Sequence, residues 1–293
     1  MDAGLGGGGL PPPLSGPTAP PHPLPPRPSP MRPRKRFGQN FLHDRGVIAR
    51  ILAAIAAQPG DHLVEIGPGR GAITAGLLAA TGHLDVVEID RDLVGPLAER
   101  FAARGLTIHR ADALTFDLCG LSDGRAWLRV VGNLPYNIST PLLFRFLEQA
   151  GCIRDMHFML QKEVVERIAA DRGCKAYGRL SVMIQAFCRA TDLFTIGPGA
   201  FTPAPKVESA FLRLTPYRPL PHPVADAGTL SRLVAQAFSQ RRKTLRNTLK
   251  GTLPPGFLEA QGIDPGQRAE QIPVDDYIRL ANAAWNCQDL PRD

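Results

Sequence analysis

Between Arg45 and Ala57 the apolar residues Val47, Ile48, Ile51, Leu52 and Ile55 recur every three or four positions, which predicts an amphipathic helix with Asp44 as its N-cap. The period then changes. Leu63 to Ile66 is a short apolar run holding one acid, followed by glycines at 67, 69 and 71 and by the helical spacing Ile73, Leu77, Leu78. That order predicts strand, glycine-rich turn, helix. Leu84 to Ile89, Leu106 to Ala111 and Leu128 to Gly132 read as three further strands. Met156 to Leu160, Asp192 to Ile196 and Ser209 to Leu214 follow as strands, with a helix from Lys162 through Ala170 after the first of them. Strands alternating with helices predict an α/β fold built on a doubly wound, mainly parallel sheet.

Pro216, Pro219, Pro221 and Pro223 then mark a composition shift, and the pattern beyond is helical. Leu230, Leu233, Val234, Ala237 and Phe238 share one face, and continuing the same register places Lys243, Arg246 and Lys250 on the solvent side. At the other end, residues 1–33 hold 12 prolines and 6 glycines with almost no apolar pattern, so they are expected to be a disordered tail without a binding role. The expected organisation is therefore a tail over 1–33, an α/β domain over 34–216 and a small all-helical domain over 217–293.

The candidate chemistry gathers at the strand ends. Gly67 and Gly69 let backbone approach a ligand closely. Glu88 lies 21 residues after Gly67, placed to accept both hydroxyls of a ribose, and Asp112 is placed to receive the amino group of an adenine. The fourth strand runs into Asn133-Leu134-Pro135-Tyr136. Here an amide oxygen and the carbonyl before a proline can converge on one exocyclic amine, and the tyrosine offers a face for stacking. Asn and Pro are also ordinary turn formers, so the tetrapeptide by itself fits a simple strand-to-turn junction. Four ligand-type ends along one sheet edge are a much narrower pattern.

This constellation resembles the class I S-adenosylmethionine-dependent methyltransferases, which have a Rossmann-like fold. The resemblance narrows with Arg34-Lys35-Arg36-Phe37-Gly38-Gln39-Asn40-Phe41-Leu42, Asn133 to Thr140, Met159 to Val164, Tyr177 to Ser181, Phe201 to Ser209 and Gln240 to Thr244, which occur in order. Together they are similar to the ribosomal RNA small-subunit adenine dimethyltransferase family, of the RsmA or KsgA type. The resemblance implies S-adenosylmethionine as cofactor, with Asn40 and Leu42 in contact with it beside Gly67, Gly69, Glu88, Asp112 and Asn133. It implies N6,N6-dimethylation of two adjacent adenosines near the 3′ end of 16S rRNA in the small ribosomal subunit. Asn133, Leu134, Pro135 and Tyr136 would hold the flipped base, and Phe201 would pack against its other face or its edge.

Charge agrees with a nucleic-acid partner. The formal net charge is +7 over 293 residues, and from 227 to 258 there are six basic residues and no acid. Arg34, Lys35, Arg36, Arg241, Arg242, Lys243 and Arg246 are the expected phosphate contacts, against the plainer reading of a solvated face. Five cysteines without Cys-x-x-Cys pairing argue against a disulfide framework and for reduced thiols. His43, His109 and His157 are assigned no role. A cytoplasmic monomer with no metal and no membrane span is expected. Two other functions remain open at this level: a non-catalytic ribosome-assembly checkpoint factor, and a dimethylase of large-subunit RNA conferring antibiotic resistance.

Overall fold

The computed structural model describes residue 1 and residues 40–287, apart from 102–103, 123 and 125–126. Residues 2–33 of the expected tail and the basic residues Arg34, Lys35 and Arg36 lie outside the described residues.

The elements follow in order: β1 (Phe41–Leu42), α1 (Arg45–Ile55), β2 (His62–Ile66), α2 (Thr74–Thr81), β3 (Leu84–Val87), α3 (Arg91–Phe101), β4 (Leu106–His109), β5 (Leu128–Asn133), α4 (Ser139–Glu148), β6 (Ile153–Gln161), α5 (Lys162–Ile168), α6 (Arg179–Gln185), β7 (Cys188–Ile196), β8 (Phe201–Thr202), β9 (Ser209–Pro216), α7 (Ala227–Ala237), α8 (Leu245–Thr248), α9 (Phe257–Ala260) and α10 (Val274–Asn286). Asp44 caps α1 as expected, its carboxylate accepting from the Val47 amide at 2.8 Å.

Seven strands form one sheet in the order β4-β3-β2-β5-β6-β9-β7. The first five run parallel, and β9 is antiparallel to both β6 and β7. Because the chain crosses from β4 over to β5, β2 and β5 are neighbours at the point where strand order reverses. Ligands collect at the carboxyl ends of such a switch point. One buried cluster unites Val64, Val130, Leu142, Phe146, Phe158 and Leu212 with their neighbours, which fixes these strand ends relative to one another. Arg129 locks the opposite end. Its guanidinium is buried and donates to Asp61, to Asp155 and to the Ile55 carbonyl, so a charge taken out of water is paired on every side.

The helices after Pro216 rest on α6 through a second buried cluster that joins Tyr177, Val182 and Met183 to Leu230, Val234, Leu245, Tyr277 and Leu280. The proline-rich stretch between is strapped down. The Tyr217 backbone amide donates to the Phe187 carbonyl at 2.9 Å, and the Arg218 guanidinium lies 3.9 Å over the Trp127 ring.

Two expectations are corrected and one helix is added. The helix carrying Leu230 to Phe238 does not continue through Lys243 and Lys250: it ends at Ala237, where Phe238 turns in between Tyr177 and Tyr277. Arg241 and Arg242 occupy the positions that a longer apolar face would need. Helix α6 was not foreseen, because Leu180 to Ile184 is buried all round and shows no amphipathic period. Cys119 and Cys152 form a disulfide with Cα atoms 5.6 Å apart, while Cys174, Cys188 and Cys287 are free. An odd count says nothing about proximity. The Gln149 side chain accepts from the Leu118 amide and donates to the Phe116 carbonyl, which brings the two cysteines together.

Candidate active site

A cavity of about 260 Å³ opens at the carboxyl ends of β2, β3 and β5. Its lining includes Asn40, Leu42, Gly67, Gly69, Glu88, Asp112, Asn133, Leu134, Pro135 and Tyr136. All seven residues expected at the cofactor and four of the five expected at the base therefore face one space.

The glycine turn after β2 takes left-handed backbone at Gly67 (φ 63°) and Gly69 (φ 59°), which other residues adopt only at a cost. A Cβ on Gly69 would meet the Phe41 ring at 3.4 Å, and one on Gly67 would point at the Asn133 carbonyl, 4.0 Å away. The absence of side chains here keeps the floor of the cavity open. Arg70 stacks its guanidinium 4.3 Å over the Phe41 ring, tying this turn to β1.

Glu88 directly follows β3. One of its oxygens accepts from the Asp90 amide at 2.8 Å and the other from the Gly69 amide at 3.4 Å, so the carboxylate is aimed before any ligand arrives. Burial pushes its pKa up; the two amides oppose the rise, and the Asp90 charge adds to it. Asp112 lies three residues beyond β4, with Oδ1 accepting from the Leu114 amide at 2.9 Å.

Behind them sits Glu65, the acid within β2, which sequence reasoning left without a role. It is buried and also lines the cavity. Burial pushes its carboxyl up to about 7; the Thr74 hydroxyl, donating at 2.6 Å, holds it back, and the Glu88 charge raises it further. Its position in the otherwise apolar run from Leu63 to Ile66 was the available signal.

At the end of β5, the Asn133 Nδ2 donates to the Asn40 carbonyl at 3.0 Å. With Nδ2 engaged, Oδ1 is the group left to accept from a ligand. The Leu134 amide donates to Met159 at 3.2 Å, and Pro135 holds Leu134 in extended backbone. The Tyr136 hydroxyl lies 2.6 Å from the Ser209 Oγ at the start of β9. Burial pushes that phenol's pKa up, with the Ser209 contact opposing, so it stays neutral.

Phe201 stands apart. It is buried, it does not line the cavity, and its register partner in the β1–β8 ladder is Leu42, which does. Of the basic residues, Arg242, Lys243 and Arg246 are exposed on the turn after α7 and on α8. Arg241 is already engaged, donating to the Lys175 carbonyl with its Nε 3.8 Å from Glu270.

The donor set fits an adenosine-containing ligand: two carboxylates on adjoining strands, apolar walls from Ile66, Ile89 and Leu114, and a side-chain-free glycine turn. The chain also matches proteins of known class. The family described as ribosomal RNA adenine dimethylase covers residues 31–285. Proteins named ribosomal RNA small subunit methyltransferase A are 57% identical over 252 residues in Pseudomonas fluorescens, covering 86% of this chain and 93% of that protein, and 58% identical over 250 residues in Nitrosococcus oceani, covering 85% and 95%. In fold, the chain resembles a dimethyladenosine transferase from Plasmodium falciparum, with a TM-score of 0.71 and 22% identity over 84% of this chain and 98% of that one. The 23S rRNA methyltransferase ErmE superposes with a TM-score of 0.65 and 24% identity, covering 84% of this chain and 100% of that one. By the extent of these matches, the chain belongs to the ribosomal RNA adenine dimethylase family.

Proposed function

We propose that the protein dimethylates the exocyclic amines of two adjacent adenosines near the 3′ end of 16S rRNA in the small ribosomal subunit, with S-adenosylmethionine as methyl donor. The observation that carries this reading is the convergence of Glu88, Asp112, Asn133, Leu134 and Tyr136 on one cavity at the β2–β5 switch point. Glu88 holds the ribose hydroxyls, Asp112 the adenine amine of the cofactor, and Gly67 and Gly69 leave room for its amino-acid part. Bound there, the cofactor supplies an electrophilic sulfonium methyl.

Asn133 Oδ1 and the Leu134 carbonyl accept the two hydrogens of the target amine. Adenine's exocyclic nitrogen is a poor nucleophile because its lone pair is delocalised into the ring. Two acceptors localise that pair and stabilise the positive charge that develops on nitrogen. The product ammonium is strongly acidic and loses its proton to water, so no histidine base is needed. Tyr136 supplies the stacking face. Phe201 serves by seating Leu42 against the cavity rather than by touching the base. Asn40 holds the Asn133 amide in the accepting orientation.

Phosphate contact falls to Arg242, Lys243 and Arg246, together with Arg34, Lys35 and Arg36. Among the described residues no helix is long and apolar enough to cross a membrane. Incubating the protein with labelled S-adenosylmethionine and undermethylated small subunits, and in parallel with undermethylated large subunits, then mapping the modified nucleotides, tests the proposal. Dimethylation of the adjacent adenosine pair is expected. Label confined to large-subunit RNA, or no label at all, would replace this reading with the resistance-type or the non-catalytic one.

A further inference from the structure

Three histidines converge on one buried carboxylate away from the cavity. Asp85, in β3, is the register partner of Val64 in β2 and of Thr107 in β4. His62 lies two residues before Val64, and His109 two residues after Thr107, so both side chains emerge on the same face as Asp85. His83 enters from the turn that opens β3. Asp85 Oδ2 is 2.9 Å from His62 Nε2 and 3.2 Å from His83 Nε2, while Oδ1 is 2.6 Å from His109 Nε2. None of the four lines the cavity.

We propose that His62, His83 and Asp85 form a binding site for a divalent transition-metal ion of the zinc, cobalt or nickel class, with His109 orienting the carboxylate from behind.

Ligand type supports this first. Two imidazole nitrogens with one carboxylate oxygen suit borderline cations, whereas magnesium and calcium take oxygen shells. Geometry agrees. In a tetrahedral shell with bonds of about 2.0–2.1 Å, neighbouring ligand atoms stand roughly 3.4 Å apart. The three ligand atoms here lie within 4.8 Å of one another, and the two contacts to Asp85 Oδ2 are near that spacing already. His83 is the ring that must move, and at 53% side-chain exposure it is free to do so. Asp85 is buried and the two ligating rings reach solvent, which leaves a rigid anchor, an entry path and a position for water. The His109 contact to the other carboxylate oxygen matches the outer partner that holds metal-bound carboxylates in place. A bound ion would cross-link the starts of β2 and β3.

The competing account is a hydrogen-bonded clamp in which the imidazole N–H groups simply donate to Asp85. Calorimetric titration of the full chain with zinc chloride alone, in a non-chelating buffer, separates the two. A single zinc per chain is expected, with a raised melting temperature, and no response to magnesium. His62→Ala and His83→Ala should each abolish binding, and His109→Ala should weaken it by about 10- to 100-fold. Since Cys174 and Cys287 are free thiols that also attract zinc, the cobalt-loaded protein provides a second readout. Ligand-field bands without thiolate charge-transfer bands support the site. Absence of binding, binding that survives His83→Ala, or a thiolate signature in the cobalt spectrum would each overturn it. His83 is exposed, so its variant tests the site without disturbing the core.

Discussion

The Asn133 side-chain amide donates to the backbone carbonyl of Asn40 at 3.0 Å, joining the end of β5 to the residue just before β1 across 93 positions of sequence. This bond decides which end of the amide a ligand meets. Asn133→Asp keeps the size but sets a carboxylate oxygen against the Asn40 carbonyl, two acceptors face to face, and Asn133→Ala removes the acceptor altogether. Both variants should lose kcat by roughly 10²- to 10³-fold, the range for deleting one oriented partner of a developing charge. Single-turnover methylation of small subunits measures it. A full rate with Asn133→Ala would remove this residue from the chemistry.

A second long-range contact changes what the aromatic ring is expected to tolerate. The Tyr136 hydroxyl meets Ser209, whose side chain is fully buried at the start of β9. The stacking face accounts for the ring alone, yet Tyr136→Phe leaves the Ser209 hydroxyl unpaired at a cost of about 1–3 kcal/mol. The prediction is a lowered melting temperature and a modest loss of rate for Tyr136→Phe, with much of the stability recovered when Ser209→Ala is added. Tyr136→Ala should be far more damaging to rate, because base stacking worth roughly 1 to 3 kcal/mol is lost as well. Strictly additive effects in the Tyr136→Phe, Ser209→Ala double-mutant cycle would show that the contact carries no energy.

What the sequence made legible, and what it hid, follows the same division. Gly67, Glu88, Asp112 and Asn133 were readable because each sits at or just beyond the end of a short apolar run, and parallel strands bring such ends to one edge. The contacts of Asn133 with Asn40, of Tyr136 with Ser209 and of Cys119 with Cys152 span 93, 73 and 33 residues, and no local period encodes them. The end of α7 was hidden for another reason. Leu245 falls seven residues after Phe238 and mimics a continuing helix, whereas packing of Phe238 against Tyr177 and Tyr277 stops it. The ring of histidines about Asp85 was invisible because His62 and His109 lie on β2 and β4 and His83 in the turn before β3, so the three imidazoles are 21 and 26 residues apart in the chain.

The buried acid of β2 makes stability depend on pH. Glu65 has an ordinary value of 4.5 and is raised to about 7 in the fold. Between those values the folded chain keeps a proton that the unfolded chain releases, so this group's contribution to stability is present at the acid end and is lost as pH rises toward 7. At most it amounts to about 3 kcal/mol. Glu65→Gln preserves an acceptor for Thr74 and removes the ionisation, so it should flatten the pH dependence and stabilise the protein on the alkaline side. Urea unfolding of both proteins across that window is the check. Parallel curves for wild type and variant would mean that Glu65 ionises in the fold as it does in water.

The basic residues after α7 should separate into two kinds. All four side chains are exposed, but Arg241 also donates to the Lys175 carbonyl, and its Nε stands 3.8 Å from Glu270 Oε2, a buried oxygen with no hydrogen-bond partner among the described residues. If Arg242, Lys243 and Arg246 neutralise phosphates, changing each to Gln should reduce the slope of log K against log salt by roughly 0.7 to 0.9 for the ribosomal substrate, with cofactor affinity and melting temperature unchanged. Arg241→Gln should behave differently. It takes a cation 3.8 Å away from a buried carboxylate oxygen, so the melting temperature falls even in the absence of RNA. Binding measured at several salt concentrations, paired with thermal melts, distinguishes the two. Wild-type slopes for the Arg242, Lys243 and Arg246 variants would make that stretch a solvated face, and an unaltered melt for Arg241→Gln would mean that its contact with Glu270 adds no stability.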